Sequence, residues 1–134
     1  MKILAIDYGR SKIGLAVGDT ETGMVEPLTV WPSSKFKFAY QQGVQSLKSI
    51  AKEDIEKILI GIPGGKIEKE IREFGKEIQE TTGLPVDFFD ETLTTQDARK
   101  MLLQSGRKRK IRRGMEDAFA AAIMLESYLE SRLR

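Results

Sequence analysis

Residues 2–18 of this 134-residue chain read KILAIDYGRSKIGLAVG, two apolar runs separated by a short polar turn. Both faces of the first run are apolar, which predicts a buried strand over residues 2–8. A turn at residues 9–12 leads into a second strand at residues 13–18. The connection is as short as a hairpin loop, so the two strands are predicted to be antiparallel.

The rest of the chain extends this pair into a larger sheet. A third strand is predicted at residues 24–31, where Pro27 favours an edge position because proline cannot donate a ladder hydrogen bond. Apolar spacing and end signals then predict helix 39–52, strand 57–62, helix 66–82, strand 86–89, a helix from Thr94 or Thr95 to about residue 105, and helix 115–133. Residues 33–37 are predicted to form a polar loop.

The predicted order β-β-β-α-β-α-β-α-α belongs to an α/β protein. An antiparallel hairpin sheet extended by strand-helix-strand crossovers gives a mixed five-stranded sheet with helices on both faces. The length suits one domain, residues 1–134, with a real core.

Composition excludes several kinds of chemistry. The chain has no Cys and no His, which removes disulfides, thiolate nucleophiles, structural zinc and imidazole bases. No stretch approaches the roughly 20 apolar residues of a membrane span, and the N-terminus lacks the pattern of a signal peptide. We therefore expect a cytoplasmic protein with no membrane partner, whose only strong metal ligands are carboxylates.

The net charge of +2 hides a concentrated basic run. Without the six residues of this run, the chain keeps 16 of its 22 basic residues and all 20 acidic ones, which gives a net charge of −4. Such a concentration is typical of contact with a polyanion such as nucleic acid, although many charge runs are only solvated loops. The residues of this basic run are Arg107, Lys108, Arg109, Lys110, Arg112 and Arg113.

Three carboxylates occupy positions next to apolar segments. Asp7 ends the first strand, Glu91 follows the apolar run at residues 86–89, and Asp117 lies near the start of an alanine-rich helix. An isolated carboxylate is costly in low dielectric, so such groups are paired, protonated or bound to a metal. A cluster of carboxylate oxygens suits Mg²⁺ or Mn²⁺.

The sequence predicts the side-chain direction of Asp117 more sharply than those of Asp7 and Glu91. On a helical wheel of about 100° per residue, Asp117 falls between Met124 and Tyr128 on the apolar side. An acid in the first helical turn also meets the helix dipole favourably, which is the alternative explanation. Asp7 could instead bond to the following turn, and strand alternation alone does not choose between Asp90 and Glu91.

Two glycine-containing turns carry basic residues. In the hairpin, Gly9 permits a tight turn, and Arg10 and Lys12 could reach a phosphate near a metal; an ordinary hairpin is the alternative. The turn after strand 57–62 ends in Lys66, but Ile60 and Ile67 stand where a Walker motif needs Gly and Ser or Thr. It could still meet a phosphate through the helix N-terminus.

Taken together, these segments resemble successive motifs of the YqgF family. They are Asp7-Tyr8-Gly9 through Asp19, Ile60-Gly61-Ile62-Pro63, Asp90-Glu91-Thr92-Leu93-Thr94-Thr95, and Glu116-Asp117-Ala118 through Leu129. The family is known for pre-16S ribosomal RNA nucleases, related to RuvC-type Holliday junction resolvases. The resemblance implies an RNase H-like fold, and it implies that Asp7, Glu91 and Asp117 are the catalytic, metal-binding residues. It also selects Glu91 over Asp90.

The chain departs from the family pattern in three places. Thr92 and Lys12 stand where the family usually has Arg, and Gly64-Gly65-Lys66 replaces a longer loop with an Asp-Gly or Asn-Gly pair. All three carboxylates are present. The departures therefore concern substrate contacts rather than the metal site.

The resemblance implies a nuclease that uses two Mg²⁺ or Mn²⁺ ions and acts on the 5′ end of pre-16S ribosomal RNA. Arg10, Lys12, Lys66 and the basic run would hold the nucleic acid. The alternatives are a DNA-junction nuclease, a non-catalytic nucleic-acid-binding protein, and an ATPase of the actin and sugar kinase type, for which a second domain is missing. The chain could act as a monomer or a homodimer.

Overall fold

The computed structural model of the chain describes residues 1–37, 40–51, 54–91 and 114–132. Its elements are strands β1 (Lys2–Tyr8), β2 (Lys12–Asp19) and β3 (Val25–Pro32), helices α1 (Ser34–Lys37) and α2 (Tyr40–Ala51), strand β4 (Ile55–Ile62), a 3₁₀ turn (Gly65–Ile67), helix α3 (Glu68–Thr82), strand β5 (Val86–Asp90) and helix α4 (Glu116–Arg132). None of the described helices is long and apolar enough to cross a membrane. Thr92, the helix predicted near residues 94–105 and the basic run lie outside the described residues.

The five strands form one sheet in the order β3-β2-β1-β4-β5. Strand β1 lies at the centre, antiparallel to β2 and parallel to β4. Strand β5 is parallel to β4, and β3 is antiparallel to β2. The predicted mixed sheet is confirmed. Strand β3 is an edge, and Pro27 pairs with Ala16 where the register shifts.

The prediction of a polar loop at residues 33–37 is wrong. One helical turn, α1, forms there instead, and the side chain of Phe36 is only 7% exposed. Its ring packs edge-on against Phe74 of α3, with centroids 5.4 Å apart, and lies 6.2 Å from the ring of Trp31. Burial of this one large ring determines the local structure, although its neighbours are polar.

The two faces of the sheet are covered by different helices. On one face, Leu4, Ile6 and Tyr8 of β1 pack in a core that includes residues of α2 and α3. On the other face, Ile3 and Ala5 pack against α4. Because side chains alternate along a strand, Asp7 belongs to the α4 face.

Small residues on the α4 face allow the helix to lie unusually near the sheet. A Cβ atom on Gly14 would overlap the backbone carbonyl of Asp117 and lie 2.7 Å from the amide nitrogen of Ala118. A Cβ atom on Gly18 would lie 2.8 Å from Cδ2 of Leu125. The helix backbone therefore rests directly on β2 at Gly14, whereas at Gly18 a side chain intervenes.

We expect Gly14→Ala to lower the free energy of unfolding by about 3 kcal/mol, because the added methyl meets helix backbone that cannot rotate away. Gly18→Ala is the matched control. Because the Leu125 side chain can shift, this substitution should lower the free energy of unfolding by only about 1 kcal/mol. Denaturant unfolding followed by circular dichroism measures both. Equal losses in the two variants would contradict the close backbone contact at Gly14.

Candidate active site

The predicted site residues of the described chain meet at one edge of the sheet. Parallel strands β1, β4 and β5 end at the same edge, which places Asp7 and Glu91 there. The β1–β2 turn and the 3₁₀ turn after β4 lie at this edge as well. Helix α4 begins at the same edge, because Asp117 lies over Gly14, the strand partner of Asp7.

Asp7 is flanked by glycines on both neighbouring strands. Gly14 of β2 is its direct partner, and Gly61 of β4 lies one position beyond the Ile6–Ile60 pair. The backbone of Asp117 lies over Gly14, and the carboxylate of Glu91 lies over Gly61. A Cβ atom on Gly61 would be 2.8 Å from Oε1 of Glu91. Asp7 thus stands between the other two acidic residues.

Burial distinguishes these carboxylates from their sequence neighbours. Asp7, Glu91 and Asp117 are half-buried, whereas Asp90 and Glu116 are exposed. Phe89 packs in the core under α4, and Phe88 packs against the opposite core. Strand alternation therefore carries Glu91, and not Asp90, to the α4 face. The catalytic roles themselves stay predictions.

The three acidic residues share one edge of the sheet but lie on or over different strands. Among the residues that the structure describes, no three acidic side chains form a ready-made metal site. Glu91 lies over β4 and Asp117 over β2, which are two strand spacings apart, about 10 Å. Within the described part of the chain, the carboxylates of Glu91 and Asp117 have no hydrogen-bond or ion-pair partner. By donor type, the three carboxylates suit a hard divalent cation.

The hairpin turn beside Asp7 is fixed by a residue that the sequence patterns did not single out. The hydroxyl of Ser33, 2% exposed, donates a 2.6 Å hydrogen bond to the carbonyl of Gly9. The Ser33 amide donates to the carbonyl of Ser11 at 2.9 Å. A Cβ atom on Gly9 would lie 2.7 Å from the carbonyl oxygen of Lys12, so the turn requires glycine there. The exposed side chain of Arg10 projects from this braced turn.

Lys66 lies at the same edge, but the helix that follows it is a poor phosphate site. Lys66 is exposed in the 3₁₀ turn, which Gly64 and Gly65 introduce with φ angles of 88° and 81°. The first turn of α3 carries Glu68 and Glu70, whose charges oppose an anion at that helix N-terminus. The Lys66 side chain, rather than the helix dipole, is therefore the group that can meet a phosphate.

The end of β1 is also held from the face opposite Asp7. The hydroxyl of Tyr8 donates a 2.7 Å hydrogen bond to Oε2 of Glu70, and its ring lies 4.8 Å from that of Phe74. Burial and the bond to Glu70 raise the pKa of Tyr8 to about 12. Tyr8 therefore stays protonated at physiological pH and links β1 to α3.

The far end of α4 is held by a cluster of compensated charges. The Tyr128 hydroxyl donates to Oδ2 of Asp87 at 3.0 Å and accepts a 2.8 Å hydrogen bond from Lys57. Arg132 bonds the same Asp87 oxygen at 3.1 Å. The hydrogen bond to Tyr128 raises the pKa of Lys57. Burial alone would raise the pKa of Asp87, but the bonds from Tyr128 and Lys57 outweigh it and lower that pKa.

Solved structures with this fold include Holliday junction resolvases. The fowlpox virus resolvase, solved with its substrate Holliday junction DNA, matches with a TM-score of 0.66 and 14% identity over 100% of both chains. T. thermophilus RuvC in complex with a Holliday junction substrate matches with a TM-score of 0.67 and 17% identity over 99% of this chain and 96% of that chain. The fold is therefore that of RuvC-like, RNase H-like proteins.

Residues 1–131 match the RuvX family, described as Holliday junction resolvase, and the chain belongs to this family, which is also called YqgF. Two curated relatives are each named "Putative pre-16S rRNA nuclease". The one from Syntrophus aciditrophicus is 35% identical over 98% of this chain and 89% of its own length. The one from Dictyoglomus thermophilum is 34% identical over 98% of this chain and 96% of its own length. These names are those of nucleases, hydrolases of phosphodiester bonds, and the predicted family and enzyme class are confirmed.

We expect Ser33→Ala to lower the free energy of unfolding by about 1–2 kcal/mol, because the partly buried carbonyl of Gly9 loses its hydrogen bond. Ser49→Ala is the matched control: the Ser49 hydroxyl also bonds a backbone carbonyl, but on an exposed helix surface. Thermal unfolding compares the two variants. A Ser33→Ala midpoint no lower than that of Ser49→Ala would contradict the bracing role.

Asp87→Asn should destabilise the protein at pH 7 by about 1 kcal/mol or less, since the carboxylate is 37% exposed and solvent screens it. The folded pKa of Asp87 lies below its usual value, so its contribution is complete above the unfolded pKa and is lost as pH falls through the folded pKa. The stability difference between wild type and variant should therefore shrink below about pH 4.

Urea unfolding at pH 7 and pH 3 measures this difference. The control is Glu130→Gln, which removes an exposed carboxylate from α4, the helix that carries Tyr128 and Arg132, and should change stability little at either pH. A stability gap for Asp87→Asn that is as large at pH 3 as at pH 7 would contradict the lowered pKa.

Proposed function

We propose that this protein is a nuclease dependent on a divalent cation, which hydrolyses phosphodiester bonds of the 16S ribosomal RNA precursor at its 5′ end. The observation that carries the proposal is the convergence of Asp7, Glu91 and Asp117 on one face at the carboxyl edge of the sheet. Membership of a nuclease family supports the same reaction class.

The proposed role of the three carboxylates is to bind two divalent cations together, either Mg²⁺ or Mn²⁺. Like charges gathered at one place repel one another unless a cation offsets them, so cation binding should draw the side chains together. The bound ions would supply activation of water and stabilisation of the leaving oxygen. Half-burial of each carboxylate leaves one side open to an incoming phosphate.

The basic residues are proposed to hold the nucleic-acid backbone. Arg10 and Lys12 project from the turn braced by Ser33, next to Asp7, and Lys66 projects from the neighbouring turn. The basic run, residues 107–113, directly precedes the helix that carries Asp117 in the sequence. Because each phosphate contact releases counterions, six contacts from this run would make binding steeply salt-dependent.

A ribosomal RNA precursor is the favoured substrate because the two curated relatives are named as pre-16S rRNA nucleases. They share 34–35% identity with this protein over nearly the whole chain. A four-way DNA junction is the second candidate, favoured by the family description and by the two resolvase complexes, which are 14% and 17% identical. The proposed location is the cytoplasm. Monomer and homodimer are both compatible with the proposal.

We expect Asp7→Asn, Glu91→Gln and Asp117→Asn each to lower Mn²⁺-dependent cleavage at least about 100-fold, because each removes a charged ligand. Two neighbours provide matched controls: Asp90→Asn for Glu91, and Glu116→Gln for Asp117, both of which remove an exposed carboxylate one position away. Both controls should cleave within about threefold of wild type, and circular dichroism should show that all five variants are folded.

The assay compares a labelled 5′ segment of the ribosomal RNA precursor with a labelled four-way DNA junction, at matched Mn²⁺ and salt. Preferred cleavage of the RNA supports the proposed substrate, and preferred cleavage of the junction replaces it with the second candidate. Binding of either substrate without cleavage in Mg²⁺ or Mn²⁺ would favour a non-catalytic binding protein. Unchanged cleavage by Asp7→Asn would overturn the metal site.

A further inference from the structure

Gly61 is a buried strand residue with no side chain at a place where the sheet is otherwise densely packed. A Cβ atom there would lie 2.8 Å from Oε1 and 2.9 Å from Cδ of Glu91, and it would overlap the sulfur of Met124. Both neighbours belong to the α4 face of the sheet. The space that a side chain would fill is therefore taken up by a carboxylate and a thioether.

The backbone gives no reason for glycine at this position. The described glycines with positive φ are Gly23, Gly64, Gly65, Gly83 and Gly114, and Gly61 is not among them. A glycine inside a strand weakens the strand and often marks a close approach by another group. The close approaches at Gly61 are those of the Met124 sulfur and of Glu91, one of the three carboxylates at the carboxyl edge.

A comparison with Gly14 separates a folding role from a positioning role. At Gly14 an added methyl would meet the backbone of α4, which cannot move without moving the helix. At Gly61 it would meet the ends of two flexible side chains, which can rotate away. A methyl group at position 61 should therefore leave the fold standing and displace the Glu91 carboxylate from its place beside Asp7.

We propose that Gly61 is a positioning residue for Glu91: the absence of a side chain at position 61 lets the Glu91 carboxylate lie against the sheet next to Asp7. Met124 forms the other wall of the same space and limits where the carboxylate can go. This inference rests on the proposed function, since its consequence is the affinity of the carboxylates for a divalent cation.

The test measures Mn²⁺ binding directly by isothermal titration calorimetry, so that its readout does not depend on cleavage. We expect Gly61→Ala to weaken Mn²⁺ binding about tenfold, the effect of a displaced supporting group at a metal site. Gly18→Ala is the matched control, since it also adds a methyl to a strand glycine under α4, but away from the carboxylates. It should bind Mn²⁺ as wild type does, and both variants should remain folded at the assay temperature.

A double-mutant cycle with Glu91→Gln distinguishes positioning from general loosening of the helix. Once the Glu91 charge is gone, Gly61→Ala has no ligand to displace, so it should weaken Mn²⁺ binding no further. The proposal is overturned if Gly61→Ala leaves Mn²⁺ affinity unchanged, or if Gly18→Ala weakens that affinity as much as Gly61→Ala does. It is also overturned if Gly61→Ala weakens Mn²⁺ binding by the same factor in the Glu91→Gln background as in the wild-type background.

These outcomes are separable from failure of the proposed function. Mn²⁺ binding that depends on Gly61 and Glu91, in a protein that cleaves neither RNA nor DNA, would overturn the nuclease proposal and leave the positioning role standing. If cleavage depends on Asp7 but Mn²⁺ affinity is insensitive to Gly61→Ala, the positioning role is overturned and the nuclease proposal stands. A wild-type protein that binds no Mn²⁺ would overturn both.

Discussion

The direct contact between helix α4 and strand β2 at Gly14 is the constraint on which the carboxyl edge of the sheet depends. Because no side chain stands at Gly14, the helix backbone can rest on the strand, and the first turn of α4 arrives beside Asp7. A bulkier residue would lift the start of the helix and carry Asp117 away. The position of Asp117 is therefore determined by backbone packing, and the position of Glu91 by the similar space at Gly61.

Charge is distributed differently at the two ends of α4. At the far end, Asp87 is paired with Lys57 and Arg132 and accepts a hydrogen bond from Tyr128. At the near end, three acidic residues from three distant parts of the chain collect on one face. The far end holds the helix in place, whereas the near end gathers acidic residues beside the exposed Arg10, Lys12 and Lys66.

Much of this arrangement follows from the sequence, because the apolar runs and short turns predict the elements along the chain and the antiparallel pairing of the first two strands. The wheel position of Asp117 predicts its half-buried direction, but alternation cannot choose Glu91 over Asp90 until the face covered by α4 is known. Phe36 and Ser33 were missed because a lone aromatic and a lone serine produce no periodic signal. In the sequence, Gly61 belongs only to a glycine-containing turn that fails the Walker pattern, and only the packing shows that it makes room for Glu91.

The most direct test of the central claim is a crystal structure of the protein grown with Mn²⁺, with data collected to reveal the anomalous signal of the ion. We expect an Mn²⁺ peak at the carboxyl edge of the sheet, coordinated directly by oxygens of Asp7, Glu91 and Asp117. No peak there at saturating Mn²⁺, or a site built from other residues with these three carboxylates apart, would contradict it.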